Sequence, residues 1–527
     1  MNGRRAALRV VGKLWKLRLA GTTAVRGQRI AAGGPGGQVV GSERSRHEGR
    51  PDAHEPGRRG YFGRGGGRDF YVSAPPEWRA TTAQLCGLWP FAAGSGTPMV
   101  GVPVGRDTRT GATVCSDPVN WFRRAGLIAN PSMVVLGIPG VGKSKLVGRI
   151  ATGLASQGVD PIIPGDLKPD HADMTLALGG RVVQLGRGQG CLNVLDPGAA
   201  MAAAQRLSGE ARRKLMADSL GRRLNMVSAL VALNRRAAVT DVEEALVAAA
   251  LTVLDEKFEP GRATLVELVG VLEAGPEPVR RLTLDRGDDE RYRAAVHGLQ
   301  SSIGALLQGA MGDTFAHPTT TTMVLDGPLD VDISGIAASD DKLQAAVMLA
   351  CWGEAFGAIA AAQALADAGL ERQRLFFIVL DELWRVLRAG PGLVERVDAL
   401  TRLNRQEGVG MAMVFHTLKD LVSLGAEEDR MKAKGFAERA GYLAIAGVPA
   451  AELALLQDVV SLTGPEGALL TSWADPPSWN TEHQRELEPP GRGRFLLKVG
   501  GRPGIPVQMT LVGPELGIHD TNKKWHG

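Results

Sequence analysis

The 527-residue sequence predicts an α/β fold with a mostly parallel sheet. Three observations carry that prediction. A glycine-rich loop joins an apolar run to a helical one at "VVLGIPGVGKSKLVGRI", residues 134–150. A second apolar run, "LFFIVLDEL", ends in the adjacent acids Asp381 and Glu382. Strand-like and helix-like runs alternate around both, which implies parallel strands joined by right-handed crossovers, with ligands at the strand ends.

In chain order, residues 1–70 come first, as a basic, Gly/Arg-rich tail. Residues 1–68 hold 15 Lys/Arg against 4 Asp/Glu, a net of +11 in a chain whose total is +5, so the remainder carries −6. Such a composition cannot bury a core, and disorder is the expectation. Its opening stretch, "RRAALRVVGKLWKLRLAG", sets Leu8, Val11, Leu14, Trp15 and Leu19 among basic residues. That pattern fits a short amphipathic helix on an anionic membrane surface, a solvated tail, or a misassigned start. No small-residue cleavage site follows an uninterrupted apolar region, so it does not read as a signal peptide.

Order is expected from about Tyr71 and Trp78, with 71–198 forming a lead-in hairpin and the first part of a P-loop domain. "PMVGVPVGRDTRTGATVCSDP" reads as two strands around a turn at Arg109–Gly111, leading directly into the loop strand. Further strands are expected at "VDPIIPGD", ending in Asp166, and at "GGRVVQLGRG". Residues 199–311 show apolar spacing of helical period, first over the stretch Met201 to Leu233, and read as an all-helical insertion. Residues 312–527 return to strands at "LDVDISGI", "RLFFIVL", "VGMAMVFHTL", "RFLLKVG" and "IPVQMTLV", with a helix from Val394 to Arg405. The apolar stretch "LQAAVMLACWGEAFGAIAAAQALA" carries Glu354 in its middle, against a membrane span. The four cysteines, Cys86, Cys115, Cys191 and Cys351, show neither disulfide nor zinc spacing, which fits a reducing cytoplasm.

The loop has the spelling GxxxxGK[ST] of a Walker A motif, a cradle of backbone N–H groups for phosphate. Its candidate nucleotide-binding residues are Gly137, Ile138, Pro139, Gly140, Val141, Gly142, Lys143, Ser144 and Lys145. Lys143 would reach the β and γ phosphates and Ser144 would hold Mg²⁺, with a helix from Lys145 aiming its N-terminus at the same oxygens. Asp381 and Glu382 have Walker B form: Asp381 for the Mg²⁺ shell, Glu382 to deprotonate the attacking water. Adjacent strand residues point to opposite sides, so a turn at the strand end is required to aim both at one nucleotide. His416 ends the next strand and reads either as a γ-phosphate sensor or as a satisfied terminal histidine. Arg402 and Arg405 are candidate arginine fingers or a solvated helix face, and Asp166, Lys168 and Asp170 sit at a strand end with no assigned role.

Taken together, "GRDTRTGATVCSDP", "LIANPSMVVLGIPGVGKS", "GDLKPDH", "GGRVVQLGRGQGCLNVLDP", "GDTFAHPTTTT", "LDVDISGI", "VLDELW", "FHTLKDL" and "GRFLLKVGGRPGIPVQMTL" resemble the motor ATPases of type IV secretion and conjugative transfer (the TraC type), within the FtsK/HerA-like group of P-loop ATPases. The resemblance spans about residues 98–513. It implies a RecA-like P-loop NTPase, ATP as the nucleotide, and a homo-oligomeric ring, a hexamer. It also implies a place at the cytoplasmic face of the inner membrane with secretion-channel proteins as partners. Three departures stand out. The family's large N-terminal docking domain has no counterpart in the tail, which implies either that a separate protein supplies it or that the start is misassigned. His416 stands where the family usually has Gln, and Asp170 where Glu is commoner. A DNA-translocating ATPase of the coupling-protein or HerA kind is the alternative, and a nucleotide-gated scaffold without turnover is the third.

Overall fold

The computed structural model describes residues 98–519 except 187, 391, 402–406, 420–423, 425–426, 478, 481–484 and 487. The described residues fall in one compact unit. The basic tail, Tyr71, Trp78, Cys86, Arg402 and Arg405 lie outside the described residues.

In chain order the strands are β1 (Pro103–Asp107), β2 (Thr113–Cys115), β3 (Ser132–Leu136), β4 (Val159–Asp166), β5 (Arg181–Gln184), β6 (Leu329–Asp332), β7 (Leu375–Leu380), β8 (Val409–Phe415), β9 (Tyr442–Ile445), β10 (Trp479–Asn480), β11 (Arg485–Glu486), β12 (Arg494–Lys498) and β13 (Ile505–Met509). Eleven of these described strands form one sheet in the order β2-β1-β13-β12-β9-β3-β8-β7-β4-β6-β5; β10 and β11 make a separate ribbon. From β9 to β5 every pairing is parallel, and from β9 outward through β12, β13, β1 and β2 every pairing is antiparallel. The fold is therefore α/β with a mostly parallel sheet, as the alternation of runs predicts.

The central strands are mostly apolar because both their faces are buried. On β3, Val134 and Leu136 join one core while Met133 and Val135 join the other. On β7, Phe376, Ile378 and Leu380 face the first core, and Phe377 and Val379 the second. This is the period-two partition of a strand covered on both sides. The first core takes the long helix Asp341–Asp367 and the helices between β5 and β6; the second takes the helix Lys143–Ser156.

Between β5 and β6 every described element is a helix, from Ala199–Arg206 to Gly309–Phe315. The stretch of helical spacing from Met201 to Leu233 lies in two helices, Ala199–Arg206 and Gly209–Arg235, because Leu207 and Ser208 are extended. A Ser-Gly pair favours a helix start over a helix interior. Two later starts are fixed by reciprocal capping boxes, Thr240 with Glu243 and Thr264 with Glu267. Asp341–Asp367 is long and apolar enough to cross a membrane, yet 72% of its most apolar window is buried inside the protein. It packs on β4 and on the helices Gly209–Arg235 and Ala199–Arg206.

Three features differ from the sequence reading. The lead-in hairpin does not run directly into β3: a short helix, Pro118–Arg123, intervenes, capped by the Asp117 carboxylate accepting from Asn120 N at 2.7 Å. The P-loop helix begins at Lys143 rather than Lys145. Strand β9, in "GYLAIAG", is absent from that reading although it borders β3. Its four-residue apolar run between glycines was the available signal.

Candidate functional site

Three neighbouring strands, β3, β8 and β7, deliver the candidate residues to one edge of the sheet, and β4 adds the loop that follows it. After β3 the chain turns through Gly137 (φ +148°), Gly140 (φ +82°) and Gly142 (φ +98°), all backbone conformations that disfavour a side chain. At Gly137 a Cβ would also stand 2.6 Å from the Ala446 methyl, so the loop is pressed against the end of β9. Lys143 is buried, and its ammonium donates to the carbonyl oxygens of Gly137 (2.7 Å) and Ile138 (3.1 Å). Ser144 and Lys145 occupy the first turn of the helix, half-buried. Ile138, Pro139, His416, Thr417 and Val448 line a cleft beside the loop.

Because β8 lies between β3 and β7, His416 at its end bridges the two motifs. Its Nδ1 is 3.1 Å from Lys143 Nζ and its Nε2 is 3.0 Å from Glu382 Oε1. An ammonium has no lone pair to offer, so Lys143 donates to Nδ1, and Nε2 carries the hydrogen donated to Glu382.

The required turn after β7 is present: Glu382 has φ +51° and ψ +31°, a left-handed conformation rare for a residue with a Cβ. Its N–H donates to Asp381 Oδ1 at 2.9 Å. The buried Glu382 carboxylate accepts from Lys168 Nζ at 2.7 Å and from Trp384 Nε1 at 2.6 Å as well as from His416. Burial pushes this carboxyl up, but the hydrogen bonds from His416 and Lys168 outweigh it and hold it well below the usual range.

Behind Asp381 lies a buried charged layer. His171 Nε2 is 3.9 Å from Asp381 Oδ2, and the Asp166 carboxylate accepts from the N–H groups of His171 (2.8 Å) and Lys168 (3.1 Å). Burial alone would depress the imidazole, but Asp381, Asp166 and Asp330 together raise it to about 9. Asp170 is pushed up to about 6 by burial and by the Asp166 charge. Lys168 and Asp166 thus acquire contacts that the sequence left unassigned. His171 and Trp384 were missed: the only signal was their place beside "GDLKPD" and "LDEL".

The glycine turns fit a phosphate cradle, and the donor set around it, the Ser144 hydroxyl and the Asp381 carboxylate, is hard oxygen of the kind Mg²⁺ takes. No group of three or more His, Cys, Asp or Glu among the described residues is arranged to hold a metal by itself.

No protein-family model matches the chain, and no curated protein matches it. Among solved structures it is similar to VirB4 of Thermoanaerobacter pseudethanolicus, at 20% identity and a TM-score of 0.57, over 80% of this chain and 100% of that one. The plasmid coupling protein TrwB, in complex with an ATP analogue, aligns at 13% identity and a TM-score of 0.46, over 84% of this chain and 96% of that one. The chain shares the fold of VirB4.

Proposed function

We propose that the protein is an ATP-hydrolysing motor that energises a type IV secretion or conjugative transfer apparatus. The observation that carries this reading is the continuous contact Lys143–His416–Glu382 across three adjacent strand ends, on a fold shared with VirB4. In this reading the N–H groups of residues 140–143 and the Lys143 ammonium hold the β and γ phosphates. Glu382 accepts the proton of the attacking water, and His416 relays the occupancy of Lys143 to Glu382. Ser144 and Asp381 would hold Mg²⁺, which neutralises charge on the transferred phosphoryl group. The resemblance of the motifs extends the reading to a homo-oligomeric ring, a hexamer, at the cytoplasmic face of the inner membrane, with channel proteins as partners. It also extends to a domain organisation in which residues 199–311 are an insertion in the ATPase domain.

The test is steady-state phosphate release from Mg-ATP by the full chain, by Lys143→Ala and by Glu382→Gln, each alone and with single- or double-stranded DNA. We expect turnover that falls by about 10²-fold or more in both variants and ignores DNA. Several-fold stimulation by DNA with steep salt dependence would replace this reading with a translocase. Absence of turnover in every condition would leave a scaffold.

A further inference from the structure

We propose that Lys168 is a positioning residue for Glu382, clamping the candidate base from the side opposite His416; the inference rests on the ATPase reading above. Strand β7 lies between β8 and β4, so the residue at its end is reached from both flanks. His416 comes from the β8 side and Lys168 from the loop after β4, and both donate to the same oxygen, Glu382 Oε1, at 3.0 and 2.7 Å. Trp384 Nε1 takes Oε2 at 2.6 Å.

A carboxylate has about four acceptor positions. Three are filled by donors anchored on three different segments, which leaves one, on Oε2, for a water molecule. The clamp is itself anchored. Asp166, 2% exposed, receives the backbone N–H of Lys168 and of His171, which fixes the loop over the end of β7. The Trp384 indole is held 6.4 Å from the His416 ring and under the Arg385 guanidinium. The left-handed backbone at Glu382 makes this restraint necessary, because a residue held there depends on its surroundings to keep the conformation.

Two effects of removing Lys168 oppose each other. Loss of the ammonium makes the carboxylate a stronger base, which speeds proton removal. Loss of one of three donors frees it to turn, and a misplacement of about 1 Å at a reacting group costs on the order of 10²-fold. Position dominates.

The experiment compares Lys168→Met and Lys168→Arg with the wild type by steady-state phosphate release from Mg-ATP, together with thermal unfolding. Expected for Lys168→Met is a kcat lower by about tenfold or more, a KM within threefold and an unchanged Tm; Lys168→Arg, which keeps a donor cation, recovers most of the loss. Lys168→Met turning over at or above the wild-type rate overturns the proposal, as does a loss confined to KM, which would make Lys168 a ground-state phosphate ligand. A wild-type chain without turnover instead removes the ATPase reading, and this inference with it.

Discussion

Two Lys–Glu pairs in this protein use the same chemistry to opposite ends. Lys498 on β12 is 1% exposed, and both Glu466 oxygens accept from its ammonium, at 3.0 and 2.9 Å. Glu466 Oε1 also accepts from Gly504 N at 2.6 Å, and Oε2 from Thr463 N at 2.8 Å. Four hydrogen bonds from these three groups therefore close that carboxylate completely. Lys168, by contrast, is 57% exposed, and Glu382 accepts only three hydrogen bonds and has a left-handed backbone. A saturated carboxylate ties the helix Gly464–Ser472 to the antiparallel end of the sheet. An unsaturated one, placed at a parallel strand end, keeps a position for chemistry.

The comparison breaks if the two lysines respond alike to removal. The largest stability loss is expected for Lys498→Met, about 3–5 kcal/mol, since it strands a buried carboxylate; urea unfolding measures it. Glu466 sharpens the contrast through pH. Burial raises its carboxyl, but Thr463 N, Gly504 N and Lys498 hold it below its ordinary 4.5. The stability it contributes is thus present above pH 4.5 and lost as the pH falls through the lowered value. Lys498→Met should flatten that acid limb.

Glu354, in the helix Asp341–Asp367, supplies the intermediate case. Burial and the Asp196 charge push its carboxyl up to about 7 against the pull of Arg222. A raised folded value means that the folded protein binds the extra proton, so stability falls as the pH rises from about 4.5 to about 7. Glu354→Gln should remove that decline and gain on the order of 2 kcal/mol at pH 8, allowing for partial exposure. Melting curves across the interval decide it. The smallest change is expected for Lys168→Met, below about 1 kcal/mol in urea unfolding, because Lys168 is itself an exposed cation and His416 and Trp384 still donate to Glu382. A loss as large as that of Lys498→Met would erase the distinction between the two pairs.

What could be read in advance was local. Residues 137–145 hold glycines, lysine and serine within one loop and one helical turn, and Asp381–Glu382 end a run that is apolar at every position. The need for a turn at Glu382 followed from strand geometry alone. What could not be read depends on which strands become neighbours. Placing β8 between β3 and β7 makes His416 a bridge, and placing β4 on the far side of β7 brings Lys168 within 2.7 Å of Glu382, 214 residues away in sequence. Neither distance is encoded near either residue. Strand β9 escaped notice because four apolar residues between glycines carry too little periodicity to register.

In the proposed mechanism, occupancy of Lys143 reaches Glu382 through His416. The direct measurement is the turnover number of His416→Ala and His416→Gln under saturating Mg-ATP. The account predicts that His416→Ala loses about tenfold or more in kcat, while His416→Gln, which can still accept from Lys143 and donate to Glu382, stays within about threefold of the wild type. Wild-type turnover by His416→Ala would contradict it.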